Sequence, residues 1–239
     1  MAKRFENKLV VVTGGTGGLG RAVSLAFLAE GARVAVTYRS QPELEALKSV
    51  AGENAAKLEG YIVNVTDEVA VRTFAEKLEV SGQGIDILVN TVGGYAGGIP
   101  LWKTELSVME RMLALNLRSG FLLARAFVPR MVERQSGAVV NIAARAAVDH
   151  AAGAAAYAAS KAAAVAMMDC LAADLKGTGV RANSVLPSII DTEANRKAMP
   201  GADFAVWPKP EEIAEVVLFL ASDEARLVHG ASVPVYGNN

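Results

Sequence analysis

A single cysteine, Cys170, stands among 239 residues, so the chain cannot close an internal disulfide. Between Met167, Met168 and Leu171 its thiol reads as a small buried hydrophobe rather than a reactive group. Long hydrophobic runs are also missing. After the basic opening MAKRFENK the apolar run extends only from Leu9 to Val12, too short for the core of a signal peptide, and no stretch has the length of a membrane span. Neither sign of charge is in excess: 24 Lys and Arg stand against 25 Asp and Glu, a formal net charge of −1. That balance gives no electrostatic reason to expect nucleic acid or an anionic membrane as a partner. A reducing, cytoplasmic setting, a small-molecule partner and no metal site are the expectations.

What is present is globular. Hydrophobic residues make up 52% and charged ones 21%, without a disorder signature. Short β-branched runs alternate with longer helical patterns. Strands are expected at Leu9–Thr13, Arg33–Thr37, Tyr61–Val65, Ile85–Asn90, Ala138–Ile142, Arg181–Leu186 and Ser232–Val235, with helices near 19–30, 42–50, 67–80, 105–133, 155–176 and 210–221. Runs such as LVVV and DILVN are apolar on consecutive residues. A strand covered on both faces requires this, and parallel sheets are covered in that way. The alternation predicts right-handed crossovers and an α/β fold with a Rossmann-type doubly wound parallel sheet. No linker or repeat divides the chain, so residues 1–239 are expected to form one domain.

The first strand runs into Thr13-Gly14-Gly15-Thr16-Gly17-Gly18-Leu19-Gly20 ahead of a helix. Glycines at such a turn bring backbone N–H groups close to a pyrophosphate, and the helix N-terminus adds its positive dipole end. The segment satisfies both G-x-G-x-x-G and T-G-x-x-x-G-x-G, and its place between first strand and helix makes the spacing specific. Gly14, Thr16, Gly17, Gly18, Leu19 and Gly20 are therefore candidate cofactor contacts. NAD sites place an acid at the end of the second strand, but this strand ends Val36-Thr37-Tyr38-Arg39-Ser40, with no acid before Glu43. Tyr38 and Arg39 are assigned to the adenosine end, where Arg39 would pair with a 2′-phosphate; otherwise it is a solvated surface arginine. NADP is the expected cofactor and NAD the alternative. Asn64 and Val65, after the third strand, are expected at the adenine, and Asn90 and Gly93, after the fourth, under the adenosine half.

Tyr157 and Lys161 lie four apart on a predicted helix and so share a face. An ammonium beside a phenol lowers the phenol pKa and holds a ribose, which suits the tyrosine to proton transfer.

With these residues in place the chain resembles the short-chain dehydrogenase/reductase family over essentially its whole length. The resemblance rests on Thr13-Gly14…Gly18-x-Gly20, Asn90-x-x-Gly93, Asn116, Tyr157-x-x-x-Lys161 and Pro187 through Thr192. It implies that Tyr157 is the general acid/base, that Lys161 binds the nicotinamide ribose, and that Asn116 anchors a proton-relay water. It further implies that Pro187–Thr192 hold the carboxamide, that residues 188–209 form a substrate loop, and that the fourth and fifth helices build a homodimer or homotetramer.

The chain departs from the family in one important place. The family carries a serine thirteen residues before the tyrosine, but here that position is Ala144, preceded by Ala143. Removing one such oxyanion donor typically costs about 2.7–4 kcal/mol of transition-state stabilisation. Asn64 for Asp and Ser188 for Gly are milder departures. The serine-free segment, Gly93-Gly94-Tyr95-Ala96-Gly97-Gly98 and the stretch from Leu186 to Trp207 are locally similar to quinonoid dihydropteridine reductases, which lack the serine. That similarity implies hydride transfer to a conjugated small molecule, with space above Ala144 and with Tyr95 or Trp207 stacking on the ring. Packing of the loop is the other reading for both aromatics. Other segments, such as Val34–Arg39 and Gly179–Asn183, are more like bacterial carbonyl reductases, including those acting on 3-oxoacyl chains. A non-catalytic dinucleotide-binding protein is the third reading. Arg145 and His150 lie near the site in sequence, where either would donate to a substrate; a surface or loop role is the favoured reading for each.

Overall fold

The computed structural model describes residues 3–80 and 84–238. Seven parallel strands form one sheet: β1 (Leu9–Thr13), β2 (Arg33–Tyr38), β3 (Leu58–Ile62), β4 (Ile87–Asn90), β5 (Gly137–Ile142), β6 (Val180–Pro187) and β7 (Ser232–Val235). Their order is β3-β2-β1-β4-β5-β6-β7. The helices are α1 (Gly18–Ala29), α2 (Gln41–Ala51), α3 (Glu68–Val80), α4 (Leu106–Leu113), α5 (Ser119–Glu133), α6 (Ala155–Asp174), α7 (Glu193–Ala198) and α8 (Pro210–Ala221). The architecture is the expected Rossmann-type domain.

Consecutive strand residues feed opposite cores. Val10, Val12, Val34 and Val36 pack with Phe27 and Leu218 on one face, while Leu9, Val11 and Ala35 pack with Phe74, Leu123 and Phe127 on the other. Period-two alternation thus coexists with an unbroken apolar run, because neither face of the central strands meets water. The chain winds outward from β1 through β2 to β3, then returns to β4 on the other side of β1. That reversal opens a crevice at the carboxyl ends of β1 and β4, where ligands of doubly wound sheets bind. Among the described residues no helix is long and apolar enough to cross a membrane.

Three expectations need correction. The third strand is Leu58–Ile62, not Tyr61–Val65. It is an edge strand whose Gly60 lies against Leu44, where a side chain would collide at 2.4 Å, and that glycine disguises it. The helix expected over 105–133 is α4 and α5 joined by a π-helical turn, Ala114–Arg118. Cys170 is exposed, not buried. On α6 the buried stripe runs through Lys161, Ala164, Met168 and Ala172, and Cys170 lies about 200° around the helix from Met168.

Candidate active site

The glycine turn is clamped to the end of β2 by one residue: Gly14 N donates to Thr37 Oγ1 at 2.9 Å and Gly15 N to Thr37 O at 3.1 Å. Gly14 has φ +67°, and a methyl group on Gly20 would lie 2.1 Å from the Gly14 carbonyl oxygen, so the turn closes only with glycine at both positions. Gly17 caps α1 without a side chain, and among the described residues no side-chain hydrogen bond caps that helix. A cradle of open N–H groups at a helix N-terminus, too tight for side chains, fits a pyrophosphate. Thr16 is half-buried beside Gly17 and Gly18, and Leu19 is buried beneath them.

Other predicted cofactor positions divide between cleft and scaffold. Gly18 faces Thr192, whose Cγ2 lies 2.9 Å from where a Gly18 methyl would stand, so the Pro187–Thr192 loop reaches the glycine turn. Thr192 also caps α7, its Oγ1 accepting from Asn195 N at 3.2 Å. Arg39 is exposed just past β2, with no ion pair among the described residues, whereas Tyr38 is buried and donates to Gln41 Oε1 at 2.7 Å. Asn64 is exposed, but its Oδ1 is turned to Thr66, accepting from Thr66 N at 3.1 Å and Thr66 Oγ1 at 2.8 Å. Val65 belongs to the apolar core. Asn90 is buried in a polar chain across three strand ends: Thr13 Oγ1 donates to Asn90 Oδ1 at 2.8 Å, and Asn90 Nδ2 to Asn141 Oδ1 at 3.0 Å.

Around the carboxyl ends of β4 and β5 the remaining polar residues converge. Asn116 sits buried in the π-helical turn. Its side chain accepts from Gly94 N at 2.9 Å and donates to Gly94 O at 3.0 Å and to Ser160 Oγ at 2.9 Å. Ser160 in turn donates to Tyr157 O at 2.7 Å. Lys161 is 5% exposed and donates from Nζ to Ile142 O at 2.9 Å. A methyl built on Gly93 would lie 2.9 Å from Asn116 Oδ1 and 3.1 Å from Lys161 Nζ, so the three meet. Tyr157 stands against Tyr95, ring centroids 5.0 Å apart and nearly perpendicular.

Burial governs the electrostatics. The Tyr157 phenol is pushed up to about 12, by desolvation first and by Tyr95 second. Lys161 is pushed down to about 8 by desolvation. The lowering of the phenol expected from its lysine neighbour does not occur: burial raises Tyr157, and the Lys161 ammonium is turned to the Ile142 carbonyl. At neutral pH Tyr157 therefore holds its proton and can only give it.

The surroundings sort the other candidates. Ala144 is buried at the end of β5 in extended conformation, and Ala143 N is occupied by Val185 O at 2.8 Å. Tyr95 is 69% exposed, standing over Tyr157. Trp207, expected either to stack on substrate or to pack the loop, is 5% exposed and packs on Phe204 at 5.0 Å, because the 188–209 segment folds back through a short helical turn. Arg145 pairs with Asp149 at 2.8 Å and lies over the Tyr236 ring at 5.1 Å, and His150 is exposed. Sequence reasoning missed Thr37, Gly94 and Ser160. Only Ser160, directly preceding Lys161, carried a positional signal.

A model of the short chain dehydrogenase family matches residues 8–202, most of the chain. D-threitol dehydrogenase of Mycolicibacterium smegmatis is 34% identical over 243 residues, covering 98% of this chain and 93% of that protein. The 3-oxoacyl-[acyl-carrier-protein] reductase of Thermotoga maritima is 32% identical over 242 residues, covering 98% of each. A crystal structure from Beutenbergia cavernae, with NADP bound at low occupancy, matches with TM-score 0.90 at 28% identity, covering 99% of this chain and 98% of that one. A glycine cradle at the switch point of a seven-stranded parallel sheet, matched along most of its length by one family model, places the chain: it belongs to the short chain dehydrogenase family of oxidoreductases.

Proposed function

We propose that the chain binds NADP(H), with NAD(H) as the alternative, and reduces a small organic acceptor whose reacting bond belongs to a conjugated system, a quinonoid dihydropterin being the specific candidate. The nicotinamide supplies the hydride when bound. The chain binds, orients and supplies the proton. Gly14, Thr16, Gly17, Gly18, Leu19 and Gly20 hold the pyrophosphate, Arg39 the adenosine end with the buried Tyr38 beneath it, Asn64 the adenine edge with the buried Val65 behind it, and Asn90 and Gly93 support the floor. Lys161 holds the nicotinamide ribose, and Pro187 and Thr192 the carboxamide. Tyr157, protonated at neutral pH, gives its proton to the acceptor, and Asn116 steadies the Gly93-Gly94 backbone beside it.

The observation that carries the substrate reading is Ala144: an intact Tyr, Lys and Asn cluster beside a position with no hydroxyl. Reducing an isolated ketone builds charge on one oxygen, where a missing donor is costly. Reducing a conjugated C=N spreads that charge, and the loss matters little. The exposed Tyr95 ring supports a flat acceptor next to Tyr157.

A second reading is an ordinary carbonyl or alcohol enzyme in which water or another group replaces the hydroxyl. The likeness to a threitol dehydrogenase and a 3-oxoacyl reductase favours it. A non-catalytic dinucleotide binder leaves the buried lysine and the phenolic acid without a use. We further propose a cytoplasmic homodimer or homotetramer. The test is oxidation of NADPH and NADH against quinonoid dihydropterin, quinones, simple ketones and 3-oxoacyl thioesters. Turnover of the pterin or quinone above the ketones supports the first reading. Silence with both, beside rapid turnover of a 3-oxoacyl thioester, refutes it.

A further inference from the structure

We infer that Glu43 reads the adenosine ribose from the side of α2 and limits how strongly a 2′-phosphate is preferred. The inference rests on the reading of Gly14–Gly20 as the dinucleotide site. Thr16, inside that turn, donates from Oγ1 to Glu43 Oε2 at 3.0 Å across 27 residues of sequence. The contact follows from the clamp at Thr37, which lays the glycine turn against the end of β2 and so brings the first turn of α2 alongside Thr16. Helix-dipole stabilisation would explain an acid in that turn, but not a bond reaching into the glycine loop.

The usual acid at the end of the second strand is replaced here by Tyr38, which is buried and engaged with Gln41. Glu43 is exposed beside Thr16, and only Oε2 of its carboxylate is taken up in that bond. A carboxylate accepts from a ribose 2′-hydroxyl, whereas a 2′-phosphate offers only acceptors and negative charge. Arg39, also exposed, acts in the opposite sense. Cofactor choice is then the outcome of a cation and an anion on opposite flanks of one ribose, and the chain accepts both dinucleotides.

The experiment is calorimetric titration of the whole protein with ADP and with 2′,5′-ADP, for wild type, Glu43→Gln and Arg39→Gln. Removing one nearby like charge in a surface setting is worth roughly tenfold in a binding constant. Glu43→Gln is expected to tighten 2′,5′-ADP roughly tenfold relative to ADP, and Arg39→Gln to shift the ratio the other way. If wild type binds both ligands and Glu43→Gln leaves their ratio unchanged, Glu43 has no such role while the dinucleotide site stands. If wild type binds neither, the dinucleotide reading itself falls and takes the inference with it.

Discussion

Replacing Lys161 by Met tests the electrostatics of the site through stability alone. The ammonium is buried, and its pKa falls from 10.5 to about 8 because burial disfavours the charge. At about 1.4 kcal/mol per tenfold change in the protonation equilibrium, holding the charged form at pH 7 costs the fold about 3 kcal/mol. The unfolded chain binds more protons than the folded one between about pH 8 and 10.5, so stability rises with pH through that window, and the penalty is whole below it. Relative to Lys161→Met, the wild-type chain should gain about 2–3 kcal/mol between pH 7 and pH 10. At roughly 2–4 °C per kcal/mol for a domain of this size, that is a relative Tm gain of roughly 5–10 °C. The absolute difference at pH 7 is smaller, since the variant orphans the Ile142 carbonyl at a cost of about 1–3 kcal/mol. Tyr157 and Tyr61, both pushed up to about 12, pull the other way only above about pH 10 and cancel in the comparison. Thermal melts of both proteins, without added dinucleotide, at pH 7, 8.5 and 10 supply the measurement. Parallel curves would refute the account of Lys161 as a buried charge held against its own desolvation.

Tyr157→Phe should cut turnover by roughly 10²–10⁴-fold while leaving NADPH affinity within a few-fold, read by fluorescence titration beside steady-state rates; undiminished turnover would remove the phenol from the chemistry. Ala144→Ser should raise ketone turnover by up to about a hundredfold and leave conjugated acceptors little changed. A rise with neither class, or with both equally, would break the link between the missing hydroxyl and substrate choice. Gly20→Ala forces a methyl toward the Gly14 carbonyl and should destabilise the fold by about 1–3 kcal/mol and abolish dinucleotide binding; wild-type affinity in that variant would mean the turn is not the cradle.

Legibility followed the range of the forces involved. β1, β7 and α8 lie where their patterns put them, because each is fixed by local periodicity and caps: Pro210 opens α8, and two glutamates follow in its first turn. The third strand drifted because Gly60 owes its place to register with Val36 and to packing on Leu44, neither of which is local. The break at Ala114–Arg118 was invisible because it depends on Asn116 bonding to Gly94 and Ser160, 22 and 44 residues away. At the site, Tyr157, Lys161 and the glycines were legible as spacings on single elements. Their pKa values were not, since burial is a property of the assembled pocket. Trp207 read equally as a ligand surface or as loop packing, because sequence cannot tell a loop's interior from its rim. α7 was overlooked, although Thr192 ahead of Glu193 and a basic end at Arg196 and Lys197 is a capped helix in miniature.

The wide turn holding Asn116 has a consequence for how the protein tolerates sequence change. A π-helical turn is an α-helix with one residue too many. Deleting one residue beside Asn116 in the Ala114–Arg118 turn would let α4 and α5 fuse into one straight rod, with Met112 before it and Leu122, Leu123 and Phe127 after it still facing inward. Such a shortened protein should fold and melt cooperatively, yet its amide would no longer point at Gly94. The extra residue is therefore a surplus that folding could shed and the active centre could not.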